Sequence, residues 1–205
     1  GIGNEQWGPM YPERLQKFIE QIRAKYPKMK ICGSSGPSAD GKDFDYGWQE
    51  MRKLKVDLVD EHYYKSPEWF RSNANRYDKY DRKGPKVFAG EYAAHAKHDP
   101  NSWEAALSEA AFMTGLERNA DVVYQATYAP LFAHVEGWQW RPDLIWFDNL
   151  TSVRSANYYI QQLYGLNKGT NVLKLTENGK AVEGENGLYA TACYDKNTKS
   201  YILKI

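Results

Sequence analysis

Val56-Asp57-Leu58-Val59-Asp60-Glu61-His62-Tyr63-Tyr64 decides how the chain is read. Its first half is the short apolar run of a buried strand, and its second half carries side chains capable of chemistry. The same design recurs downstream in Lys86-Val87-Phe88-Ala89-Gly90-Glu91-Tyr92 and upstream in Met29-Lys30-Ile31-Cys32-Gly33. Between these runs the period changes from two to that of a helix. Leu15, Phe18, Ile19 and Ile22 share one face of a helix over 11–26, with Pro12 in its first turn and Pro27 beyond its end. Helices are also predicted over 46–54, 67–80, 102–118 and 152–164, a further strand over 121–126, and a long aromatic loop over 128–147.

Strands therefore end near residues 5, 34, 63 and 91, successive ends lying 28 or 29 residues apart. A (β/α)8 barrel of about 250 residues allots roughly 31 to each unit. An open doubly wound sheet shares the alternation. The barrel is preferred because Glu5, Ser34, His62, Tyr64, Glu91 and Gln125 all fall at C-terminal strand ends, which a closed barrel gathers around one mouth. From Leu166 the pattern shifts to short alternating segments, 171–175, 187–194 and 200–205, with turn sequences at Glu177-Asn178-Gly179-Lys180 and Asp195-Lys196-Asn197. The expectation is an α/β chain: part of a barrel over 1–165, then an incomplete β-sandwich domain over 166–205, since a sandwich takes about 100 residues. The opening residues resemble neither a signal peptide nor a natural start, so the chain is expected to begin mid-protein.

The 205 residues are 42% hydrophobic and 15% aromatic, enough to bury a core. Lys and Arg number 27 against 26 for Asp and Glu, and this near balance provides no field for phosphate backbones or anionic membranes, so neither nucleic acid nor membrane is an expected partner. Seven Trp and sixteen Tyr exceed what packing ordinarily needs, and aromatic faces suit the apolar faces of sugars. Cys32 and Cys193 form neither a disulfide framework nor a metal-ligand pair by spacing.

Glu5, in Gly3-Asn4-Glu5-Gln6-Trp7-Gly8, and Glu91, in Ala89-Gly90-Glu91-Tyr92, lie 86 residues apart, three βα units. Barrel closure would aim both into one mouth. Retaining glycosidases need such a pair about 5–5.5 Å apart, one protonating the leaving oxygen and one attacking the anomeric carbon. Asn4 is placed to bond a sugar 2-hydroxyl. His62 and Tyr64, two apart, share a strand face and can reach the same pocket, His62 against the nucleophilic carboxylate and Tyr64 orienting it. Residues 36–43 have phosphate-loop spacing, but Asp43 stands where magnesium needs Ser or Thr, Asp40 adds negative charge, and Pro37 removes a donor. His95, His98 and Asp99 lack a further ligand nearby and read as a solvated loop. No metal or other cofactor is expected.

Gly3-Asn4-Glu5, Glu61-His62-Tyr63-Tyr64, Gly90-Glu91-Tyr92, and Tyr128-Ala129-Pro130-Leu131-Phe132 followed by Trp140-Arg141-Pro142-Asp143-Leu144-Ile145 resemble, in this order, the α-L-arabinofuranosidases of glycoside hydrolase family 51. The resemblance covers nearly the whole chain. It implies strands 4 to 8 of a (β/α)8 TIM barrel, with Glu5 ending the fourth as acid/base and Glu91 ending the seventh as nucleophile. Asn4 and Tyr64 would line the sugar site, and His62 and Gln125, at their strand ends, are taken as further substrate-binding residues. The implied reaction is release of terminal non-reducing α-L-arabinofuranosyl residues from arabinose-containing polysaccharides with retention. A retaining endoglucanase or xylosidase, and a noncatalytic carbohydrate-binding scaffold, are the alternative readings. His95 stands where some members place Trp. A homo-oligomer or association with the missing N-terminal half would fit the resemblance, and a periplasmic or secreted location is favoured over a cytoplasmic one.

Overall fold

The structure, a computed structural model, describes residues 1–205. The chain opens with α1 (Met10–Lys25), β1 (Cys32–Ser34), α2 (Lys42–Lys53), β2 (Leu58–Lys65) and α3 (Pro67–Ser72). Next come β3 (Lys86–Ala94), α4 (Trp103–Arg118) and β4 (Val123–Tyr128). The strands β1-β2-β3-β4 form one sheet in sequence order, with β1 and β2 parallel in the register Cys32↔Leu58, Gly33↔Val59, Ser34↔Asp60. Helices alternating with strands in this way make the chain an α/β protein built on a parallel sheet, as its patterning implies. No helix is long and apolar enough to cross a membrane.

The molecule divides into two compact units. The first comprises Gly1–Tyr63, Asp81–Tyr92 and Asp121–Thr127. Its core joins Leu15 and Ile19 of α1, Trp48 and Met51 of α2, and Val59, Val87, Ala89 and Val123 of the sheet, all buried. Burying each large aliphatic side chain contributes roughly 1.5–3 kcal/mol. The helices can approach because Gly33 has no side chain: a Cβ there would lie 2.3 Å from Met51 Sδ.

The second unit comprises Tyr64–Tyr80, Ala93–Ala120 and Tyr128–Ile205. Its spine is α4, capped by Ser102, whose side chain accepts from the Ala105 N–H. Phe70, Tyr77 and Phe112 form an aromatic cluster, with Phe70 edge-on to Phe112 at 5.2 Å. Beyond β4 lie β5 (Phe132–His134), β6 (Ile145–Phe147), β7 (Ser152–Arg154) and α5 (Ala156–Leu166). The chain closes with β8 (Asn171–Leu173), β9 (Thr176–Glu177), β10 (Lys180–Ala181), β11 (Thr191–Asp195) and β12 (Ser200–Lys204). β12-β11-β8 is an antiparallel sheet, and β9–β10 a hairpin whose turn places Asn178 and Gly179 at φ 50° and 82°.

Three expectations are corrected. The stretch before Glu5 is not a strand: residues 1–8 are irregular, and their one backbone–backbone bond to the sheet runs from the Ile2 N–H to the Cys32 carbonyl at 3.0 Å. Two glycines in three residues, with Gly3 at φ 90°, do not hold an extended ladder. The helix at Pro67 ends at Ser72 rather than near 80, because the Asn73 amide donates to the Trp69 carbonyl at 2.8 Å and caps it. The aromatic stretch 128–147 is not a plain loop: β5, β6 and β7 form a small mixed sheet, and the following helix waits for Ser155, which accepts from the Tyr158 N–H as its cap.

Candidate active site

The cluster that could do chemistry lies in the first unit, at the C-terminal end of β2. Alternation along this strand points Asp60 and His62 to one face and Glu61 to the other. Glu61 is fully buried and receives the Trp48 indole N–H at 2.7 Å and the Tyr63 hydroxyl, a structural role away from the cluster. His62 is 2% exposed, and carboxylates surround its ring. Its Nδ1 lies 2.9 Å from Glu5 Oε1 and 3.6 Å from Glu91 Oε2, while Nε2 lies 3.3 Å from Asp60 Oδ2. One donor atom from each of Glu5, His62 and Glu91 lies within 4.8 Å of the others.

Burial by itself would lower the His62 pKa. Bonds to Asp60 and Glu5 and the negative charges of Asp60 and Glu91 outweigh it and raise the ring to about 9. At neutral pH His62 is therefore an imidazolium donating from both nitrogens. A divalent cation could use three donors at this spacing only by displacing the His62 proton, since an imidazolium offers it no lone pair.

Glu5 reaches this cluster from the irregular segment before α1. The Tyr11 hydroxyl donates to the Ile2 carbonyl at 2.6 Å and accepts the Ser34 N–H at 2.9 Å, and Ser34 Oγ accepts the Gln6 N–H at 3.1 Å. Held from both sides, Glu5 takes φ 50°, the left-handed region that an L-residue other than Asn or Asp seldom enters, at a cost of order 1 kcal/mol. Glu91 follows Gly90 on β3. A Cβ at Gly90 would fall 2.0 Å from Asp60 Oδ1, so only glycine leaves room there for the Asp60 carboxylate. The Gly90 carbonyl is fixed in turn by the Thr127 hydroxyl at 2.5 Å.

Of the candidate residues, Glu5, His62 and Glu91 are thus brought together. Asn4 is exposed and only its carbonyl bonds, accepting the Gln6 amide at 2.9 Å. Tyr64 is half-buried, its ring 5.5 Å from that of His95 in the second unit. Gln125 is an exposed residue of β4. Asp60 escaped the sequence reading, although its position two before His62 puts it on the same face of the same strand.

Residues 69–199 match the family model described as the alpha-L-arabinofuranosidase C-terminal domain, and residues 1–82 that of the alpha-L-arabinofuranosidase 1 domain. An extracellular exo-alpha-L-arabinofuranosidase of Streptomyces chartreusis is 51% identical over 173 residues, 84% of this chain and 20% of that protein. Alpha-L-arabinofuranosidase 1 of Arabidopsis thaliana is 34% identical over 204 residues, 98% of this chain and 28% of that protein. Among solved structures, the arabinose-bound MgGH51 α-L-arabinofuranosidase superposes with a TM-score of 0.77 at 30% identity, covering 94% of this chain and 31% of that one. AbfB of Bifidobacterium longum, a family 51 α-L-arabinofuranosidase, shares the fold at a TM-score of 0.70 and 15% identity, over 98% of this chain and 51% of that one. The chain spans 20 to 28% of the length of these curated relatives. On the family-model match and the likeness in sequence and fold together, the chain belongs to the α-L-arabinofuranosidases of glycoside hydrolase family 51.

Proposed function

We propose that this chain is the catalytic C-terminal half of a retaining exo-acting α-L-arabinofuranosidase that removes terminal non-reducing arabinofuranosyl groups from arabinose-containing polysaccharides. The observation that carries the reading is the approach of Glu5 and Glu91 oxygens to within 4.8 Å around a shared His62, close to the separation that retention uses. Glu91 is the nucleophile and Glu5 the acid/base. In the first step Glu91 attacks the anomeric carbon as Glu5 protonates the departing oxygen. In the second, Glu5 takes a proton from water, and that water displaces Glu91. Asn4, Tyr64 and Gln125 are assigned to substrate contacts.

In this reading, residues 1–165 supply strands 4 to 8 of a (β/α)8 barrel, the fourth reduced here to the Ile2–Cys32 bond, and residues 166–205 begin a β-sandwich. The superposition on the arabinose-bound enzyme supports it. The named location of the Streptomyces relative favours secretion.

The test uses the full-length protein. Glu91→Ala is expected to abolish turnover of every arabinofuranoside, whereas Glu5→Ala loses roughly 10²–10⁴-fold on natural linkages and far less on nitrophenyl substrates, whose leaving groups need no proton. Equal losses on both substrate types in Glu5→Ala would refute the assignment, and a nitrophenyl glycoside panel identifies the sugar.

A further inference from the structure

Asp60 occupies an expensive position. Its Oδ1 is buried without a hydrogen-bond partner, against a strand residue that must be glycine to admit it. Its carbonyl is also committed, accepting both the Ser35 N–H at 3.0 Å and the Ser35 hydroxyl at 2.9 Å, so the backbone beneath the side chain is fixed. The one bond its carboxylate makes is to His62 Nε2. Nothing in the packing of the first unit calls for a carboxylate here, and the group facing it is a ring whose other nitrogen lies between the two proposed catalytic carboxylates.

We propose that Asp60 is a positioning residue that anchors the His62 ring by Nε2, so that the Nδ1–H stays between Glu91 and Glu5 and serves whichever of them is negative. The proposal rests on the glycosidase reading above. In the first step a bond forms between Glu91 and the anomeric carbon, the glycosidic bond breaks, and the Glu5 proton leaves with the departing oxygen. Glu91 loses its formal charge as Glu5 acquires one. The second step reverses this: Glu5 takes a proton from water, the water oxygen bonds the anomeric carbon, and the bond to Glu91 breaks. One negative charge thus shuttles between two carboxylates, and the His62 proton is never transferred. A donor at 2.9 Å from one and 3.6 Å from the other needs only a small tilt to change partner. That tilt is usable only if the far side of the ring is hinged, which is what the 3.3 Å contact to Asp60 provides. Asp60, Glu5 and Glu91 are the charged groups facing the ring, and Tyr11 and Cys32 are the other titratable groups near Asp60 on the β1 side.

The experiment compares wild type with Asp60→Asn, His62→Gln and the double variant in the full-length protein. It reads histidine ring nitrogen shifts across pH without substrate, and kcat/KM across pH with an arabinofuranoside. In wild type both His62 nitrogens are expected to stay protonated to about pH 9. Asp60→Asn should lower that transition by roughly one to three pH units. The alkaline limb of kcat/KM should move with it, activity near pH 5 staying within a few-fold of wild type. Glutamine keeps an N–H but does not titrate, so in His62→Gln the alkaline limb, then set by the acid Glu5, should no longer respond to Asp60→Asn, and adding Asp60→Asn should cost little more. A nitrogen transition that stays in place in Asp60→Asn, a uniform loss at every pH, or a full additional loss in the double variant would overturn the proposal. Should Asp60→Asn fail to fold, Asp60→Ser is read in the same way: a ring-nitrogen transition that stays where wild type has it refutes the role. The ring shifts need no turnover, so a protein inactive on arabinofuranosides would sink the glycosidase reading while still reporting whether Asp60 holds the ring.

Discussion

Replacing Glu109 by Gln should flatten the dependence of stability on pH. Glu109 lies on α4, fully buried, and its Oε1 accepts the Ala94 N–H at 2.8 Å while Oε2 has no partner. Burial raises its pKa from 4.5 to about 8, and the Ala94 bond and neighbouring Asn157 pull it back only in part. The folded state therefore keeps a proton that the unfolded chain has already released. The stability held by this group is complete below pH 4.5, declines as pH rises, and is gone above about pH 8. At about 1.4 kcal/mol per unit the displacement has an upper bound of roughly 5 kcal/mol. Each kcal/mol moves the melting midpoint of a domain this size by roughly 2–4 °C. Glutamine preserves the acceptor for Ala94 without the titration. Melting followed by circular dichroism from pH 4.5 to 9 should show wild type losing several degrees relative to Glu109→Gln, the gap opening between pH 4.5 and 8. His62 adds a loss between its ordinary 6.5 and about 9 in both proteins and cancels in the comparison. Parallel curves would mean that Glu109 is ionised in the fold and that its unbonded oxygen is satisfied by some other group.

Other consequences are open to direct measurement. Gly115→Ala should destabilise despite a helix-propensity gain of about 1 kcal/mol, because the new Cβ would lie 1.8 Å from the Ala74 carbonyl, which also accepts the Arg118 guanidinium at 3.0 Å. A net loss of about 1–3 kcal/mol is expected in denaturant melts, and an unchanged midpoint would refute that contact. Burial raises both thiols to about 11, so alkylation of Cys32 and Cys193 at pH 8 should be slow until the chain is unfolded. Rapid modification of the folded protein would contradict this. Residues 1–205 made alone should turn over activated arabinofuranosides little or not at all, because orientation supplies about 7–11 kcal/mol of catalysis and part of the proposed barrel is missing. Restored activity on mixing with the N-terminal half would support the division, and full activity alone would refute it.

The parallel sheet was legible because β2 and β3 are apolar runs bounded by helices of clear period, and burial leaves little ambiguity in such runs. Glu5 and Glu91 were paired on a spacing of three βα units; the two do meet at His62, although Glu5 arrives on an irregular segment and not at a strand end. Two features were hidden for opposite reasons. The small sheet β5-β6-β7 depends on pairings between three-residue strands, Phe132 with Ile145 and Ile145 with Arg154, too short to leave a periodic signal. Asp60 was overlooked because an acidic residue inside an apolar strand looks like any polar interruption until the ring opposite it is seen.

The left-handed backbone at position 5 implies an asymmetry between keeping the fold and keeping the reaction. Glycine or asparagine would sit there with less strain than glutamate. Glu5→Gly should therefore relieve backbone strain while removing the proposed acid/base group and the carboxylate 2.9 Å from His62 Nδ1. The backbone at this residue thus favours other side chains, and glutamate is held there at a cost that its bond to His62 offsets in part.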